Sequence, residues 1–324
     1  MHNNTIIPVL FDAHQTLADF AKRHKNQPML ALTHGQPATP TTVGKEFAVF
    51  AERLKRQMDQ LKSHRLLGKL NGATGNWGAH VVAYPNVNWQ NFSKKFVESF
   101  GFQFNPLTTQ VEPHDSLAES FHILSRVNTI LLDFNRDVWL YISRGIFGQK
   151  KKDSEIGSST MPHKINPLDF ENAEGNLGLA NAMLHHLAEK LPISRMQRDL
   201  SDSTVLRNIG VPLGYSLLAY KSMLKGLAKL FINKEKLNEE LEAHWEILAE
   251  PIQTILRKVG HEKPYETLKN LTRGEKITKK DIQNFIRKLD IPKEEKQKLL
   301  KLTPHNHIGL AGNIVMFRPL KAKS

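Results

Sequence analysis

Residues 113–141 read PHDSLAESFHILSRVNTILLDFNRDVWLY, and the spacing of their apolar positions decides the fold. Leu117, Phe121, Leu124, Leu131, Phe134, Val138 and Tyr141 recur at the three-and-four period that places side chains on one face of an α-helix. A stripe of that length needs neighbouring helices to cover it, as in a bundle. Ser116 and Glu119, just after Pro113, have the spacing of a capping box and predict the helix start. Phe47, Phe50, Leu54, Met58 and Leu61 repeat the pattern. Further helical stretches run from about Ile6 to His24, Pro167 to Lys190 and Ser203 to Phe231, and no segment alternates convincingly as a strand. The expectation is an all-α protein: a long helical bundle over residues 1–230, then a small helical C-terminal domain over 231–324, where Lys/Glu-rich short helices are broken at LTRGEK, DIPKEE and LTPHN.

A chain of 324 residues with 40% hydrophobic and 24% charged residues has the composition of a globular protein with a sizeable core. No apolar run reaches the length of a membrane span, and the stretch Thr5–Phe11 is too short for a leader, so a cytoplasmic protein without membrane partners is expected. The absence of cysteine excludes disulfides, thiolate metal sites and a thiol nucleophile. Among the 15 histidines no HExxH or similar ligand spacing occurs, so neither a metal nor a cofactor is expected. Chemistry falls to His, Ser, Lys, Arg and carboxylates. The formal charge of +13 is spread out: residues 1–230 carry 26 Lys and Arg against 19 Asp and Glu, and residues 231–324 carry 19 against 13. Diffuse charge suits steering of small polyanions better than a duplex-binding stripe, so no nucleic-acid partner is expected. Interleaved acids in the basic C-terminal stretch, and the run Lys150–Lys152, read as solvated surface.

Loops rich in Gly, Pro, His and hydroxyl residues separate the helices: THGQPATPTT (33–42), NGATGNWGAH (71–80), TTQVEPHD (108–115) and GSSTMPHKINPLDFE (157–171). These are the candidate site loops. Gly72, Gly75 and Gly78 form neither a P-loop nor GxGxxG, so tight turning or close packing explains them better than a nucleotide loop. In the last stretch, Gly157–Thr160 suits a mobile hydroxyl-bearing loop. Asn166 followed by Pro167 resembles an N-cap and first-turn pair. A helix start beside Lys164 favours an anion and lowers the cost of ionising a nearby serine. Farther along, Arg198 and Arg207 flank Ser203 and Thr204. That set suits a phosphate, and it equally suits a capped helix whose arginines pair with Asp199 and Asp202.

GSSTMPHKINP resembles the signature loop GSxxMxxKxN of the fumarase/aspartase superfamily, and THGQPATP resembles that superfamily's second shared region. His163 points to the adenylosuccinate lyase branch. The stretches GKLNGATGNW, QVEPHDSLAE, FENAEGNLGLANA, RDLSDSTVLRN and HWEILAEPIQT are similar to that branch's bacterial members, and the similarity runs from about residue 5 to 306. The resemblance implies β-elimination of fumarate from adenylosuccinate and from the succinylated carboxamide ribotide SAICAR. It implies Ser158 as base, His34 as acid and Glu171 as the carboxylate that orients His34. It implies substrate contacts at Gln110, Ser159, Lys164, Asn166, Asn172, Arg198, Ser203, Thr204, Val205, Leu206 and Arg207, and a homotetramer with sites shared between subunits.

Nothing in the sequence matches the family's first shared region, and the ending HIGLAGNIVMFRPLKAKS departs from the family's helical tail. The expectation is that the chain by itself has little or no lyase activity and gains it when the first region is supplied. Another fumarate-releasing lyase of the superfamily, and a silent chain retaining only the assembly bundle, remain as alternatives.

Overall fold

The computed structural model describes residues 5–150, 165–269 and 277–316. Helix α1 (Ile7–Arg23) leads into a hairpin of β1 (Pro28–Thr33) and β2 (Gln36–Thr42), then into α2 (Val43–Ser63). Strand β3 (Leu67–Gly68), short helices α3 (Gly78–Ala83) and α4 (Trp89–Ser99) and strand β4 (Gln103–Phe104) precede the long α5 (Asp115–Ser143) and β5 (Phe147–Gln149). Next come α6 (Leu168–Lys190), α7 (Ser201–Leu206), α8 (Gly210–Lys229) and β6 (Leu230–Ile232). The chain continues through α9 (Lys234–Ala243), a 3-10 turn (Trp245–Leu248), α10 (Ala249–Lys258), α11 (Pro264–Lys269), α12 (Lys279–Lys288) and α13 (Lys293–Leu300). Helices dominate, as the apolar periodicity predicts, and each sheet among the described residues has only two strands.

The chain forms two compact units: one from Met1–His14, Glu52–Leu140 and Lys151–Lys229, the other from Gln15–Ala51, Tyr141–Lys150 and Leu230–Ser324. In the first, α6 packs along α8. Leu177, Ala180 and Leu184 from α6, Ala219, Tyr220 and Met223 from α8, and Phe121, Leu124, Leu131 and Phe134 from α5 are all buried. A buried polar chain runs through this core: Tyr220 donates to Asn128 Oδ1 at 2.5 Å, and Asn128 Nδ2 donates to Ser216 Oγ at 3.0 Å. Desolvation raises the Tyr220 phenol pKa, so it stays a neutral donor.

In the second unit, Leu241, Trp245, Leu248, Ile252, Leu256, Ile282, Ile286 and Leu299 close a core that includes Leu30 of β1. Ile282 and Ile286 are buried while Lys279, Lys280, Arg287 and Lys288 stay exposed, so the basic stretch is a solvated helix face as expected.

Four local expectations change. The helix start at Ser116 lies one residue earlier, and Ser116 is no cap: its buried hydroxyl accepts the Leu67 amide at 3.0 Å. The stretch Ser203–Phe231 is two helices and a strand, because Pro212 has no N–H for the Asn208 carbonyl and is tolerated only in the first turn of α8. Pro167, not Asn166, occupies the N-cap of α6. THGQPATPTT is a hairpin rather than a loop. Leu32 pairs with Pro37 and Thr33 with Gln36, leaving His34 and Gly35 as a two-residue turn. The register slips between Met29 and Ala31, and this irregularity helps β2 carry both Pro37 and Pro40 in a strand paired on one side only.

Candidate functional site

His34 lies at the tip of the β1–β2 hairpin in the second unit. Its φ of 53° and the 73° of Gly35 give the turn two left-handed residues, the geometry a two-residue hairpin with correct twist demands. Thr33 through Gln36 are all exposed, so the imidazole is presented outward on a short rigid ribbon.

The described candidates of the first unit fall into two groups. One is the first turn of α6, bearing Asn166 just before it and Glu171 and Asn172 on it. This turn is fixed to α8 through buried neighbours. Asp169 and Lys229 are each 7% exposed and meet at 2.5 Å between Oδ2 and Nζ, with Lys225 Nζ 3.3 Å from the other carboxylate oxygen. Phe170 is buried against Gly226. Ser222 Oγ donates to the Asp169 carbonyl at 2.9 Å and accepts Asn172 Nδ2 at 3.0 Å. With residues 169 and 170 anchored inward, Glu171 and Asn172 remain exposed, Asn172 with its amide nitrogen tied to Ser222. Glu171 Oε1 accepts the Trp139 indole N–H at 2.9 Å.

The second group joins three segments. Lys69 Nζ donates to the carbonyls of Gly72 (2.9 Å), Thr109 (2.9 Å) and Gln110 (2.6 Å), pinning the 71–80 and 108–115 loops together. Desolvation lowers the Lys69 pKa, and the carbonyls supply what water no longer does. Gly75, at φ 80°, brings its backbone so near Thr108 that a Cβ would lie 1.9 Å from the Thr108 carbonyl oxygen. Close approach therefore accounts for this glycine. The Gln110 amide donates to the Gln197 carbonyl at 3.3 Å, docking the loop on the segment before α7.

In that segment Arg198 Nη1 lies 3.2 Å from Asp202 Oδ2, and Arg195 pairs with Asp199 at 3.4 Å. Of the expected pairing, Arg198 with Asp202 is observed, whereas the partner of Asp199 is Arg195 and not Arg207; Arg198 keeps 29% of its side chain exposed while Asp202 keeps 6%. The carboxylate fixes the guanidinium from behind and leaves it reachable. Asp199 accepts from the Ser201 hydroxyl and amide and from the Arg195 amide, which hold its carboxyl down at about 2. Ser203, Val205 and Leu206 are half-buried and Thr204 and Arg207 exposed, on and just past α7.

Ser158, Ser159 and Lys164, with the rest of the Gly157–Lys164 loop, lie outside the described residues. Lys69, His114 and Asp202 are scaffold residues that the sequence reading did not assign to the site. Each lies in a stretch already quoted, GKLNGATGNW, TTQVEPHD or RDLSDSTVLRN, and only the fold shows what each one touches. Among the described residues no cluster of His, Asp and Glu could hold a metal ion, and no helix is long and apolar enough to cross a membrane.

Residues 2–183 match the family model described as Lyase, and residues 194–308 match the one described as Adenylosuccinate lyase C-terminal. The "Adenylosuccinate lyase" of Haemophilus influenzae is 59% identical over 295 residues, covering 91% of this chain and 65% of that protein. The protein of the same name from Escherichia coli K12 is 55% identical over 313 residues, covering 97% and 69%. The chain spans about two thirds of the length of these curated relatives. Among solved structures, the 3-carboxy-cis,cis-muconate lactonizing enzyme of Pseudomonas putida superposes with a TM-score of 0.75 at 22% identity, covering 96% of this chain and 70% of that one. A fumarate lyase from Mesorhizobium sp. BNC1 gives 0.73 at 18%, covering 96% and 71%, and both likenesses bear on the fold. With two family models spanning nearly its whole length and relatives above 50% identity, the chain belongs to the adenylosuccinate lyase family of the fumarase/aspartase superfamily.

Proposed function

We propose that this protein is a carbon–nitrogen lyase of purine nucleotide synthesis, releasing fumarate from adenylosuccinate to give AMP and from SAICAR to give AICAR. The observation that carries this reading is identity above 50% with curated adenylosuccinate lyases along nearly the whole chain. In the elimination a base removes the proton beside a carboxylate, the freed electron pair forms the carbon–carbon double bond, and the C–N bond breaks as an acid protonates the leaving nitrogen. Ser158 is the base and His34 the acid, with Glu171 as the carboxylate that orients His34. Ser159, Lys164, Asn166 and Asn172 hold the succinyl end, and Gln110 is a further substrate contact. Arg198 and residues 203–207 take the phosphate, a role that suits a guanidinium fixed by Asp202 yet partly exposed.

The protein works in the cytoplasm as a homotetramer with shared sites. Leu140, Leu179 and Leu218, on three of the long helices, are each more than half exposed, which suits faces covered by other copies. Light scattering at micromolar concentration then gives about four times 36.9 kDa, and a monodisperse monomer contradicts the assembly. The functional test is fumarate release from adenylosuccinate, SAICAR and argininosuccinate, assayed alone and with the family's first shared region supplied as a separate polypeptide. With the first region supplied, release from the two purine substrates and not from argininosuccinate is expected. Release from argininosuccinate, or from none of the three in that supplemented assay, overturns the reading.

A further inference from the structure

The point where the 108–115 loop meets α7 keeps three costly features together. Asp202 is 4% exposed, and its Oδ2 faces both Arg198 Nη1 at 3.2 Å and His114 Nε2 at 3.8 Å. Its Oδ1 and the His114 Nε2 are buried without a hydrogen-bond partner. His114 itself sits at φ 68°, a left-handed conformation that side chains other than glycine rarely adopt. That backbone is held on both sides: its N–H donates to Glu112 Oε2 at 2.8 Å, and its carbonyl accepts the Ala118 amide of α5 at 2.8 Å. Buried unsatisfied polar atoms and left-handed backbone at one spot persist only when the surroundings enforce them, and they gather where geometry serves function.

We propose that His114 is a positioning residue of the phosphate site, acting through Asp202 on Arg198. It touches no substrate in this scheme. With its hydrogen on Nε2, the imidazole turns that N–H toward Asp202 Oδ2 at 3.8 Å, an electrostatic contact rather than a hydrogen bond, so the carboxylate that pairs with Arg198 at 3.2 Å also faces a positive dipole from the loop side. The same loop carries Gln110, whose amide is docked on Gln197 beside Arg198. The Arg198 pairing and the loop's His114 therefore meet at one buried carboxylate. This inference rests on the proposed nucleotide-phosphate role of Arg198.

The test compares calorimetric binding of AMP and of adenosine, which lacks only the phosphate, to the full chain. His114→Asn tolerates the left-handed backbone but is too short to reach Asp202, whereas His114→Gln keeps an N–H at the reach of Nε2. The wild type binds AMP more tightly than adenosine. His114→Asn weakens AMP by about tenfold and leaves adenosine unchanged, while His114→Gln restores most of the difference. Equal weakening of both ligands, or an unchanged AMP preference in His114→Asn, overturns the proposal while the phosphate role of Arg198 stands. If Arg198→Ala keeps the wild-type preference for AMP, or the wild type shows none, the phosphate reading fails and the proposal falls with it.

Discussion

His34 and Gly35 occupy a turn position that asks for left-handed backbone at both residues, and this separates turn geometry from chemistry at His34. Asparagine is among the residues best tolerated there, so His34→Asn should leave the thermal midpoint within a few degrees of wild type while abolishing elimination. A large loss of stability would mean that the imidazole serves the fold. Gly35→Ala meets no neighbour within 4 Å, so its cost is backbone strain alone, about 1 kcal/mol. At Asp199 the carboxyl titrates near 2 in the folded chain instead of the ordinary 3.8, held down first by the Ser201 hydroxyl. A depressed folded pKa stabilises the fold above 3.8 and loses that effect as pH falls toward 2. Carboxyl-carbon NMR should show that midpoint, and Ser201→Ala should move it back toward 3.8. An unmoved midpoint would contradict the assignment. The proposed roles of His34 and Arg198 rest on long motifs visible in the sequence. The approach of His114 to Asp202 is not visible there, since it joins segments far apart in sequence.

The first turn of α6 illustrates how an element is held. Its exposed residues Glu171 and Asn172 are positioned by inward neighbours, above all Phe170 on Gly226. A Cβ at 226 would lie 2.8 Å from Phe170 Cζ, and Phe170, 1% exposed, has little room to retreat. Gly226→Ala should therefore destabilise the protein by about 1–3 kcal/mol in denaturant unfolding, and a neutral effect would show that α6 and α8 pack less tightly than described. Long helices were legible because their stripes span many turns. Helix ends were not. Ser116 and Glu119 match the capping-box spacing, yet that terminus is organised by His114 and Glu112. Thr278 and Asp281 have the same spacing and do form the reciprocal box. Two residues at a spacing cannot report which backbone groups already have partners. The hairpin escaped notice because two prolines in QPATPTT argue against a strand, an argument that weakens in a two-stranded ribbon with an irregular register.

At the scale of the whole molecule, three histidines among the described residues couple folding to pH. Burial lowers the pKa of His14, His24 and His307 below the ordinary 6.5, with positive neighbours Lys55 at His14 and Arg23 at His24 adding to it. The unfolded chain then binds more protons near pH 6, so the stability these neutral rings support is complete above 6.5 and declines as pH falls below it. Thermal midpoints should drop between pH 7.5 and 5.0, and a flat or rising profile would contradict that account. Asp199, titrating near 2, adds nothing in this window. The all-α class was readable from periodicity. The interleaving of two units was not, since Gln15–Ala51 and Tyr141–Lys150 join the C-terminal segment through tertiary contacts that no local pattern encodes.

The central claim is elimination by Ser158 and His34 on a purine substrate. Its most direct test is fumarate and AMP formation from adenylosuccinate by the wild type, His34→Asn and Ser158→Ala, each with the family's first shared region added as a separate polypeptide. The account predicts equal amounts of the two products from the wild type and a fall of at least about a hundredfold in each variant. Wild-type rates in either variant, or no fumarate from the supplemented wild type, would contradict it.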